Sequence, residues 1–451
     1  MQTTNLTKNQ QIKLNILDLS YEGLGVAKVD GYSLFVENAL PTEQVVAIVT
    51  KVGKNFGFAK TIEILRPSAD RETQYDLKYL QTGIAPLAHW RYERQLEFKR
   101  QQVVNNFAKQ KLTIPVKETL GSQDPVGYRN KAQIPIRTVA NQATTGFFRN
   151  RSHNLVPMED FLIQDPQIDQ AIKQIRDYMR ELNIQGYDEI KNNGQIRHIM
   201  VRRAYYTREI MIVLVVTNSK FATLPQLLDK IMQNMAPTSL YINVNSKKTN
   251  VILGSKFKLV AGQEYITDEI LGKKFRISPQ SFYQVNPKQT QKLYQLAIDA
   301  ADLKGNEIVV DAYSGIGTIG LSMADRAQKV IGIEVVDQAV QDAKMNAAIN
   351  GITNAEFIQG KTEDVLQKWA KEQQKIDVLI VDPPRKGLAD RLVQSILALQ
   401  PQKIVYISCN PATLARDVAA LADVYQASFA TPVDMFPLTK HVESVTTLNV
   451  R

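Results

Sequence analysis

The sequence has 451 residues, too many for one ordinary hydrophobic core, so two or three domains are expected. Its 44% hydrophobic content excludes a mainly disordered chain, and a single cysteine excludes a disulfide framework. The net charge of +10 arises in residues 67–278, where 31 Lys+Arg face 20 Asp+Glu; this favours a polyanionic partner, with a merely solubilising surface as the alternative. The polar N-terminus and the lack of a membrane-length apolar run predict a cytoplasmic protein with no membrane partner.

Residues 11–66 alternate between hydrophobic and polar positions in short segments that glycine turns separate, as at residues 23–25 (GLG). This spacing predicts a five-stranded OB-like β-barrel. Residues 21–28 (YEGLGVAK), with Phe35-Val36 and residues 40–44 (LPTEQ), resemble the TRAM domain, an RNA-binding barrel found on RNA-modifying enzymes. We therefore expect a TRAM-like RNA-binding barrel over residues 1–66, with a purely structural barrel as the alternative.

Residues 67–278 show a mixed α+β pattern, which we interpret as a basic central RNA-binding domain. An amphipathic helix is predicted at 91–111, further helices at 165–182 and 224–234, and strands at 131–137, 196–203, 209–216, 239–243 and 257–260. Basic residues recur beside aromatics, which suits phosphate contact and base stacking, although a solvated sheet edge explains any single one equally well. The candidate RNA contacts are Arg129, Lys131, Arg149, Arg151, Arg202 and Arg203.

From residue 279 onward, strand and helix patterns alternate, which predicts a parallel, doubly wound sheet. The expected strands lie at 307–313, 329–334, 355–360, 376–382 and 403–408. Two later apolar segments, 424–433 and 444–450, lack a helix between them and are expected to pair antiparallel. This is the strand count of an α/β Rossmann-like methyltransferase, which we assign to residues 279–451.

A glycine-rich loop, residues 311–320 (DAYSGIGTIG), follows the first strand of this sheet. Gly315 and Gly317 permit a tight turn and close approach of the backbone to a ligand. Glu334 ends the next strand, where a carboxylate can accept hydrogen bonds from ribose hydroxyls. A dinucleotide-dependent dehydrogenase would fit as well, but Asp311 just before the glycines favours S-adenosylmethionine (SAM).

Cys409 follows the predicted strand 403–408 and precedes a helix that begins near Asn410-Pro411. Taken alone, it would be a small buried packing residue. Asp382 opens a second loop, residues 382–387 (DPPRKG), in which two prolines stiffen the backbone. Arg385 stands where amino-group methyltransferases carry an aromatic that stacks on the base, which disfavours methylation of an exocyclic nitrogen.

Residues 382–387 (DPPRKG), 408–414 (SCNPATL) and 441–445 (HVESV) together resemble the RNA uracil-5-methyltransferase family, as do residues 282–287 (FYQVNP) and 128–131 (YRNK). The resemblance spans nearly the whole chain. It implies that Cys409 is the nucleophile and Glu443 the general base, and that helix 91–111 packs on the catalytic domain. The cofactor-binding candidates are Gln284, Tyr313, Glu334 and Asp382 from the resemblance, with Asp311, Gly315 and Gly317 from the glycine loop.

The resemblance also implies the reaction: SAM-dependent methylation of uracil C5 in 23S rRNA by a monomer, forming 5-methyluridine through a covalent adduct between the cysteine and C6. Many 23S rRNA members carry an iron–sulfur cluster on four cysteines, but residues 81–89 (QTGIAPLAH) contain none, so no cluster is expected. A tRNA uracil-5-methyltransferase is the first alternative. A noncatalytic RNA-binding or assembly protein is less favoured, because it would not require both Cys409 and Glu443.

This chemistry explains the need for a cysteine and a base. Uracil C5 is a weak nucleophile, and addition of a thiolate at C6 converts the ring to an enolate that can accept a methyl group at C5. A base then removes the C5 proton so that the cysteine can leave. Because the thiolate is the reactive form, we expect a depressed pKa for Cys409, with help from the following helix N-terminus and from Arg416.

Overall fold

The computed structural model describes residues 5–150 and 152–451. Within these residues the strands form three larger sheets and one isolated hairpin, which follow one another along the chain. Arg151, one of the candidate RNA contacts, lies outside the described residues.

The first sheet is a small barrel. Its strands are β1 (Gln11–Asn15), β2 (Asp18–Leu19), β3 (Gly25–Val29), β4 (Tyr32–Glu37), β5 (Gln44–Val52) and β6 (Phe56–Arg66). They lie in the order β1-β5-β6-β4-β3-β2, so the two edge strands are consecutive in sequence. The chain bends between them, where the Leu17 N–H donates to the Val26 carbonyl at 2.8 Å, and the sheet curls on itself. The five predicted strands become six because the short β2 pairs separately with β3.

The second sheet contains the central segments. The elements of this part are α1 (Leu77–Thr82), α2 (Tyr92–Lys109), β7 (Lys131–Val139), β8 (Gln142–Phe148), β9 (Leu155–Pro157), α3 (Pro166–Glu181), β10 (Ile196–Arg203), β11 (Ile210–Val216), α4 (Leu224–Met235), β12 (Ser239–Val244) and β13 (Lys256–Gly262). The sheet order is β13-β12-β11-β10-β7-β8-β9. Strands β8 and β9 were not among the predicted strands.

The central position of β10 corrects one predicted RNA contact. This strand is covered on both faces, and Arg202 within it is 1% exposed. Its guanidinium donates to the backbone carbonyls of Ser281, at 2.9 Å, and Ser278, at 3.3 Å. The prediction that Arg202 contacts RNA is therefore wrong, because its buried guanidinium hydrogen-bonds β10 to the segment that leads into the catalytic domain.

The last part of the chain is the doubly wound sheet, preceded by a hairpin. The elements are β14 (Ile266–Ile270), β15 (Lys273–Ile277), α5 (Pro287–Ala301), β16 (Ile308–Ala312), α6 (Thr318–Met323), β17 (Lys329–Glu334), α7 (Asp337–Ile349), β18 (Ala355–Gln359), α8 (Thr362–Lys371), β19 (Val378–Val381), α9 (Asp390–Leu399), β20 (Lys403–Ser408), α10 (Pro411–Leu421), β21 (Tyr425–Val433) and β22 (Glu443–Val450). The order is β18-β17-β16-β19-β20-β22-β21. Strands β16 to β20 are parallel, and β22 is antiparallel to both neighbours. The hairpin β14–β15, N-terminal to the boundary predicted at residue 278, shares its hydrophobic core with α5 and this sheet.

Helix α2 packs on the catalytic sheet although it precedes the central sheet in sequence. Val103 and Phe107 lie in the same hydrophobic cluster as residues of β19, β20 and α10. Lys99 and Asp434 form an ion pair at 2.5 Å, and both side chains are 0% exposed. Helix α2 thus covers one face of the catalytic sheet next to the loop that leads from β21 to β22.

The segment with the missing cysteines is filled by apolar side chains. Leu87 and Trp90 form a cluster with Leu19 and Leu40 of the barrel. The Leu87 N–H donates to the Leu438 carbonyl at 3.0 Å, so the segment joins the barrel to the catalytic domain. Across residues 5–150 and 152–451, no group of His, Cys, Asp and Glu side chains is arranged to hold a metal ion, and none of the described helices combines the length and hydropathy needed to span a bilayer.

Candidate active site

The predicted catalytic and cofactor residues lie mainly at one edge of the catalytic sheet. Strands β16, β17, β19 and β20 are parallel, so their carboxyl ends meet at the same edge. The glycine loop follows β16, Glu334 ends β17, Asp382 follows β19 and Cys409 follows β20. This edge is where open α/β sheets bind ligands.

The register of two strands places Cys409 opposite Glu443. Ser408 of β20 pairs with Ser444 of antiparallel β22, so the next position outward sets Cys409 against Glu443. Side chains in such cross-strand positions have Cβ atoms roughly 4.5–5.5 Å apart and point to the same face. Glu443 is 5% exposed and Cys409 is partly exposed, so a molecule entering from outside meets the sulfur first.

Three acidic groups share this small space. Burial raises the pKa of Glu443, and the nearby Asp382 carboxyl raises it further. Burial also raises the pKa of Asp382. The pKa of Cys409 is raised to about 11 by burial and by the charges of Glu443 and Asp382, so the predicted depressed pKa is wrong. Cys409 therefore carries its proton at neutral pH.

Arg385 supplies the cation nearest to this pair. Its charge lowers the pKa of both Cys409 and Glu443, against the larger effect of burial. Its position is set by its backbone, because the Asn410 side chain donates to the Arg385 carbonyl at 3.0 Å. Asn410 also begins helix α10, where its side-chain oxygen accepts from the Ala412 N–H. The residue after the cysteine thus holds the backbone of Arg385.

Helix α10 also anchors the rest of the 382–387 loop. The Arg416 guanidinium donates to the Lys386 and Leu388 carbonyls at 2.8 and 3.1 Å. Asp417 accepts from the Leu388 N–H at 2.7 Å. Gly387 adopts a φ of +74° and leaves no room for a Cβ, which would lie 2.4 Å from the Asp417 Oδ2. Arg416, predicted to activate Cys409, instead holds the loop that carries Arg385.

The glycine loop and Glu334 form one hydrogen-bonded unit. The Glu334 carboxylate accepts from the Gly315 N–H at 3.0 Å and from the Val336 N–H at 2.8 Å. Gly315 has a φ of +55°, and a Cβ built there would meet no atom within 4 Å, so this turn borders open space. Gly317 has a φ of +82° and begins α6. This turn therefore leaves room for a ligand to approach the backbone beside the Glu334 carboxylate.

Asp311 and Tyr313 frame the same loop. Asp311 is 1% exposed; its Oδ2 accepts from the Gly320 N–H at 2.8 Å, and its Oδ1 has no hydrogen-bond partner in the described chain. Burial raises its pKa to about 7, with Asp382 and Glu334 adding to the effect. Tyr313 adopts a φ of +66°, and its hydroxyl donates to Glu363 at 3.1 Å. The open turn, the fixed carboxylate and the unpaired acidic oxygen fit a nucleoside that carries a cationic group.

Gln284 lies on the segment between the hairpin and α5. It is 7% exposed, and its backbone carbonyl accepts from the Asn130 side chain at 3.2 Å. The Asn130 N–H also donates to the Val285 carbonyl at 2.9 Å. The central domain thus holds the Gln284 segment in place, and residues next to the predicted RNA contacts Arg129 and Lys131 make that connection.

The remaining predicted RNA contacts differ in their surroundings. Lys131 is partly buried beside Arg202 and Arg129, and burial together with these two cations lowers its pKa to about 7. Arg203 pairs with Asp165 at 2.6 Å. Arg149 is exposed, with a 3.4 Å hydrogen bond to Gln81. Arg129 and Lys131 therefore lie close enough to act on each other and flank the residue that contacts the Gln284 segment, whereas Arg149 is exposed.

Two residues near the reacting groups were missed by sequence reasoning. Tyr294 of α5 is 3% exposed; burial raises its pKa, and the charges of Asp382, Asp311 and Glu443 raise it further. Lys99 supports the loop after β21, where it pairs with Asp434 and donates to the Phe436 carbonyl at 3.1 Å. Nothing in the local sequence around either residue signals its neighbours, because each contact joins distant parts of the chain.

Comparison with known proteins gives matches over the whole chain. Residues 91–451 match the family described as tRNA (uracil-5-)-methyltransferase, and residues 6–62 match the TRAM domain. A relative from Enterococcus faecalis, described as an uncharacterized RNA methyltransferase, is 50% identical over 99% of both chains. A similarly described relative from Lactobacillus johnsonii is 50% identical over 98% of this chain and 99% of its own.

A solved structure agrees with these matches. The tRNA (uracil-54, C5)-methyltransferase of Pyrococcus abyssi, in complex with S-adenosyl-L-homocysteine, superposes with a TM-score of 0.79 at 28% identity. The match covers 97% of this chain and 100% of that one. The chain therefore belongs to the tRNA (uracil-5-)-methyltransferase family, and it is a SAM-dependent RNA methyltransferase with an N-terminal RNA-binding TRAM domain.

Proposed function

We propose that the protein methylates C5 of uracil in 23S rRNA, with Cys409 as nucleophile and Glu443 as general base. The observation that carries this proposal is the cross-strand pair: the register of β20 and β22 sets the only thiol opposite a buried carboxyl. A thiol and a carboxyl on one face are what addition to C6 and removal of the C5 proton require. A noncatalytic RNA-binding protein would have no use for this pair.

The proposed reaction has three steps. The Cys409 thiolate forms a bond to C6, and the C5=C6 electron pair moves toward the C4 carbonyl to give an enolate. C5 would then take the methyl group of SAM as the bond between the methyl carbon and the sulfonium sulfur breaks, with the electron pair of that bond remaining on the sulfur. The Glu443 carboxylate takes the C5 proton, the C5=C6 double bond reforms, and the bond between the sulfur and C6 breaks to release Cys409. The C5 proton ends on Glu443.

The protonation states tie the chemistry to ligand binding. Burial raises the pKa values of Cys409, Glu443 and Asp382, and neighbouring carboxyl charges raise those of Cys409 and Glu443 further. Arg385 alone is too weak to reverse the effect of burial on the thiol, since the pKa of Cys409 still rises to about 11. A cationic ligand beside Asp382 would lower all three pKa values and so favour the thiolate of Cys409.

We assign SAM contacts to the glycine loop and its neighbours. Glu334 faces the ribose, and the Gly315–Gly317 turn allows the backbone to approach. Asp311 and Asp382 offer negative charge to the cationic methionine part of the ligand. The full proposed set is Gln284, Asp311, Tyr313, Gly315, Gly317, Glu334 and Asp382.

We assign RNA contacts to Arg129 and Lys131 near the site, with Arg149 and Arg203 further out. Arg129 and Lys131 border the Gln284 segment, and their mutual repulsion is relieved when a phosphate binds between them. Arg203 reaches RNA only by exchanging its partner Asp165. In this proposal the barrel, residues 1–66, and the central domain, residues 67–278, grip RNA, and residues 279–451 carry out the chemistry as a monomer.

The TRAM domain supports rRNA as the substrate, because the dedicated bacterial tRNA enzymes of the family typically lack this domain. A tRNA substrate is the second candidate, since the similar Pyrococcus abyssi protein is named for tRNA uracil-54 and its match covers 97% of this chain. Mass-spectrometric mapping of 5-methyluridine in rRNA and tRNA from cells lacking the protein decides between them. Loss from 23S rRNA alone supports the proposal, and loss from tRNA alone overturns the rRNA assignment.

Two variants test the residue roles. Cys409→Ala removes the nucleophile, so we expect no methyl transfer and no covalent adduct with RNA that contains 5-fluorouridine. Glu443→Gln keeps the shape but removes the base, so we expect an adduct with ordinary uridine RNA that fails to resolve. Persistent methylation by the alanine variant, with SAM binding intact by calorimetry, would exclude the covalent route.

A further inference from the structure

Three phenylalanines form an aromatic cluster on the outside of the barrel. Phe35 of β4 lies beside Phe58 of β6, with ring centroids 5.8 Å apart. Phe56 completes the group at 5.5 Å from Phe35 and 5.7 Å from Phe58, with both contacts edge-to-face. Phe56 is 46% exposed. We name Phe35, Phe56 and Phe58 the aromatic face.

The barrel core does not require these rings. Leu34 and Val36, which flank Phe35 in sequence, are 0% exposed and fill the interior. Gly57 and Ala59 alternate with Phe56 and Phe58 in the same way. Side chains alternate between the two faces of a strand, so all three rings lie on the outer surface. A polar side chain would have a more favourable hydration free energy at these positions.

Lysines surround the aromatic face. Lys28 pairs across the sheet with Ser33, which pairs with Phe56. Lys51 pairs with Phe58, and Lys60 lies one outward position beyond Phe58 on the same strand. Lys54 lies in the connection between β5 and β6, two residues before Phe56. In the part of the chain that the structure describes, none of these four lysines forms an ion pair. Glu37, which pairs with Lys60, places a carboxylate at the edge of this surface.

Rings within a rim of unpaired lysines match single-stranded RNA. Unpaired bases stack on aromatic side chains, and the backbone phosphates lie over the surrounding cations. An apolar protein partner could pack on the rings, but lysines are depleted at the centres of protein interfaces. Charge complementarity therefore favours RNA over a protein or a second copy of this chain.

The aromatic face is also connected to the active site. The turn at Glu22 forms an ion pair with Lys440, one residue before His441 in the loop that leads to Glu443. From Tyr21 in this turn to Val26, which pairs with Phe35, the chain spans at most about 18 Å. RNA that leaves the active site past this turn can reach the aromatic face within a few nucleotides.

We propose that Phe35, Phe56 and Phe58 form a stacking surface for a single-stranded segment of the RNA substrate outside the catalytic pocket. This inference rests on the proposed function only in taking RNA as the substrate. It gives the barrel a specific role: holding unpaired nucleotides that flank the target uridine, so that the folded substrate is opened before the base enters the pocket.

The test measures binding of a fluorescein-labelled oligouridylate of about 20 nucleotides to the full-length protein by fluorescence anisotropy. Phe56→Leu keeps an apolar side chain at an exposed position and removes the ring. We expect its dissociation constant to rise at least about 5-fold, the lower limit for loss of one stacked base. The triple variant, with leucine at positions 35, 56 and 58, should bind the oligouridylate at least about 20-fold more weakly than wild type. The melting temperature of the single variant Phe56→Leu should equal that of wild type.

Two controls isolate stacking. Leu65→Ala alters an apolar residue of the same strand that is 41% exposed and roughly 23 Å from Phe58, so its affinity should match wild type within 2-fold. A duplex RNA of equal length offers no free base faces, so Phe56→Leu should bind it as wild type does. Lys51→Ala with Lys60→Ala should reduce the salt dependence of oligouridylate binding, whereas Phe56→Leu should leave that slope unchanged.

Unchanged oligouridylate affinity in the triple variant overturns the inference, whether or not the variant alters self-association by sedimentation. If Phe56→Leu loses as much affinity for duplex RNA as for the oligouridylate, stacking on the ring is not the cause of the loss. The inference and the proposed function fail separately. If wild type transfers no methyl group to uridine in any RNA but Phe56→Leu still loses oligouridylate binding, the aromatic face stands and the uracil assignment falls.

Discussion

The buried ion pair between Lys99 and Asp434 gives the sharpest test of how the active site is supported. The two side chains are 0% exposed and 2.5 Å apart. Asp434 also accepts from the Tyr92 hydroxyl at 2.9 Å and from the Phe436 N–H at 3.2 Å. Lys99→Met removes the cation and keeps most of the side-chain volume, so the carboxylate is left buried and uncompensated.

The expected loss in the free energy of unfolding follows from this environment. Breaking a buried pair by removing one partner costs about 3–5 kcal/mol, because the remaining charge stays desolvated. The two hydrogen bonds that remain on Asp434 place the expected value near 3 kcal/mol. Adding Asp434→Asn removes the stranded charge, so the double variant should recover more than half of the loss.

Urea unfolding followed by circular dichroism measures these differences. The matched control is Lys304→Met, which breaks an exposed pair with Asp302 whose side chains are 68% and 60% exposed; its cost should stay below about 1 kcal/mol. The loop anchored by Lys99 leads to Glu443, so kcat should fall in Lys99→Met while the dissociation constant for SAM stays unchanged. A cost for Lys99→Met equal to that of the control, or no gain from the second substitution, would refute the reasoning.

Gly387, Asp311 and Phe107 each give a further expected outcome. Gly387→Ala introduces a Cβ 2.4 Å from Asp417 Oδ2, so the loop that carries Arg385 must move, and kcat for RNA methylation should fall on the order of 100-fold. The folded pKa of Asp311 is raised to about 7, so the native state holds a proton that the unfolded chain has released. Stability relative to Asp311→Asn, measured by urea unfolding, should therefore fall by up to about 4 kcal/mol as pH rises from about 4 to about 7. Phe107→Ala opens a cavity between α2 and the catalytic sheet and should lower the free energy of unfolding by about 3–5 kcal/mol in the same assay.

Each of these predictions has its own control. Gly351→Ala imposes the same backbone strain at a φ of +66° with no atom within 4 Å of the new Cβ, so equal kcat losses at both glycines would contradict the steric argument. Parallel pH profiles for wild type and Asp311→Asn would contradict the raised pKa. Ile190→Ala alters a side chain that is 85% exposed, and a Phe107→Ala variant no less stable than this one would show that α2 does not support the catalytic sheet.

The local hydrophobic pattern was enough to predict most strands. A strand buried on one face alternates between hydrophobic and polar residues, and one buried on both faces is a continuous apolar run. The strands at 196–203, 329–334 and 403–408 were predicted with the bounds that the structure has. The pattern misled where a strand is covered on both faces: Arg202 was interpreted as a surface cation but lies 1% exposed within β10. Strand β8 was missed because its threonines and glycine, residues 142–148 (QATTGFF), resemble a loop.

The identities of the candidate catalytic residues were predicted from motifs, but their geometry was not. Nothing in the spacing of Cys409 and Glu443 gives the antiparallel register that sets them face to face. The pKa of Cys409 was predicted in the wrong direction, because the sequence shows the following helix but neither the burial of the sulfur nor the two carboxyls whose charges act on it. Contacts across the fold decide both properties, and a linear pattern does not contain them.

The contact between Lys99 and Asp434 also bears on how the enzyme becomes active during folding. The two residues are 335 positions apart, with the whole central sheet between them. Contacts of such separation form late, since the loop-closure entropy must be overcome before they contribute stability. Each sheet can form from nearer neighbours, so after dilution from denaturant helical and strand signals should return before methyl transfer does. The enzyme would then pass through a state that has its secondary structure but lacks a fixed general base.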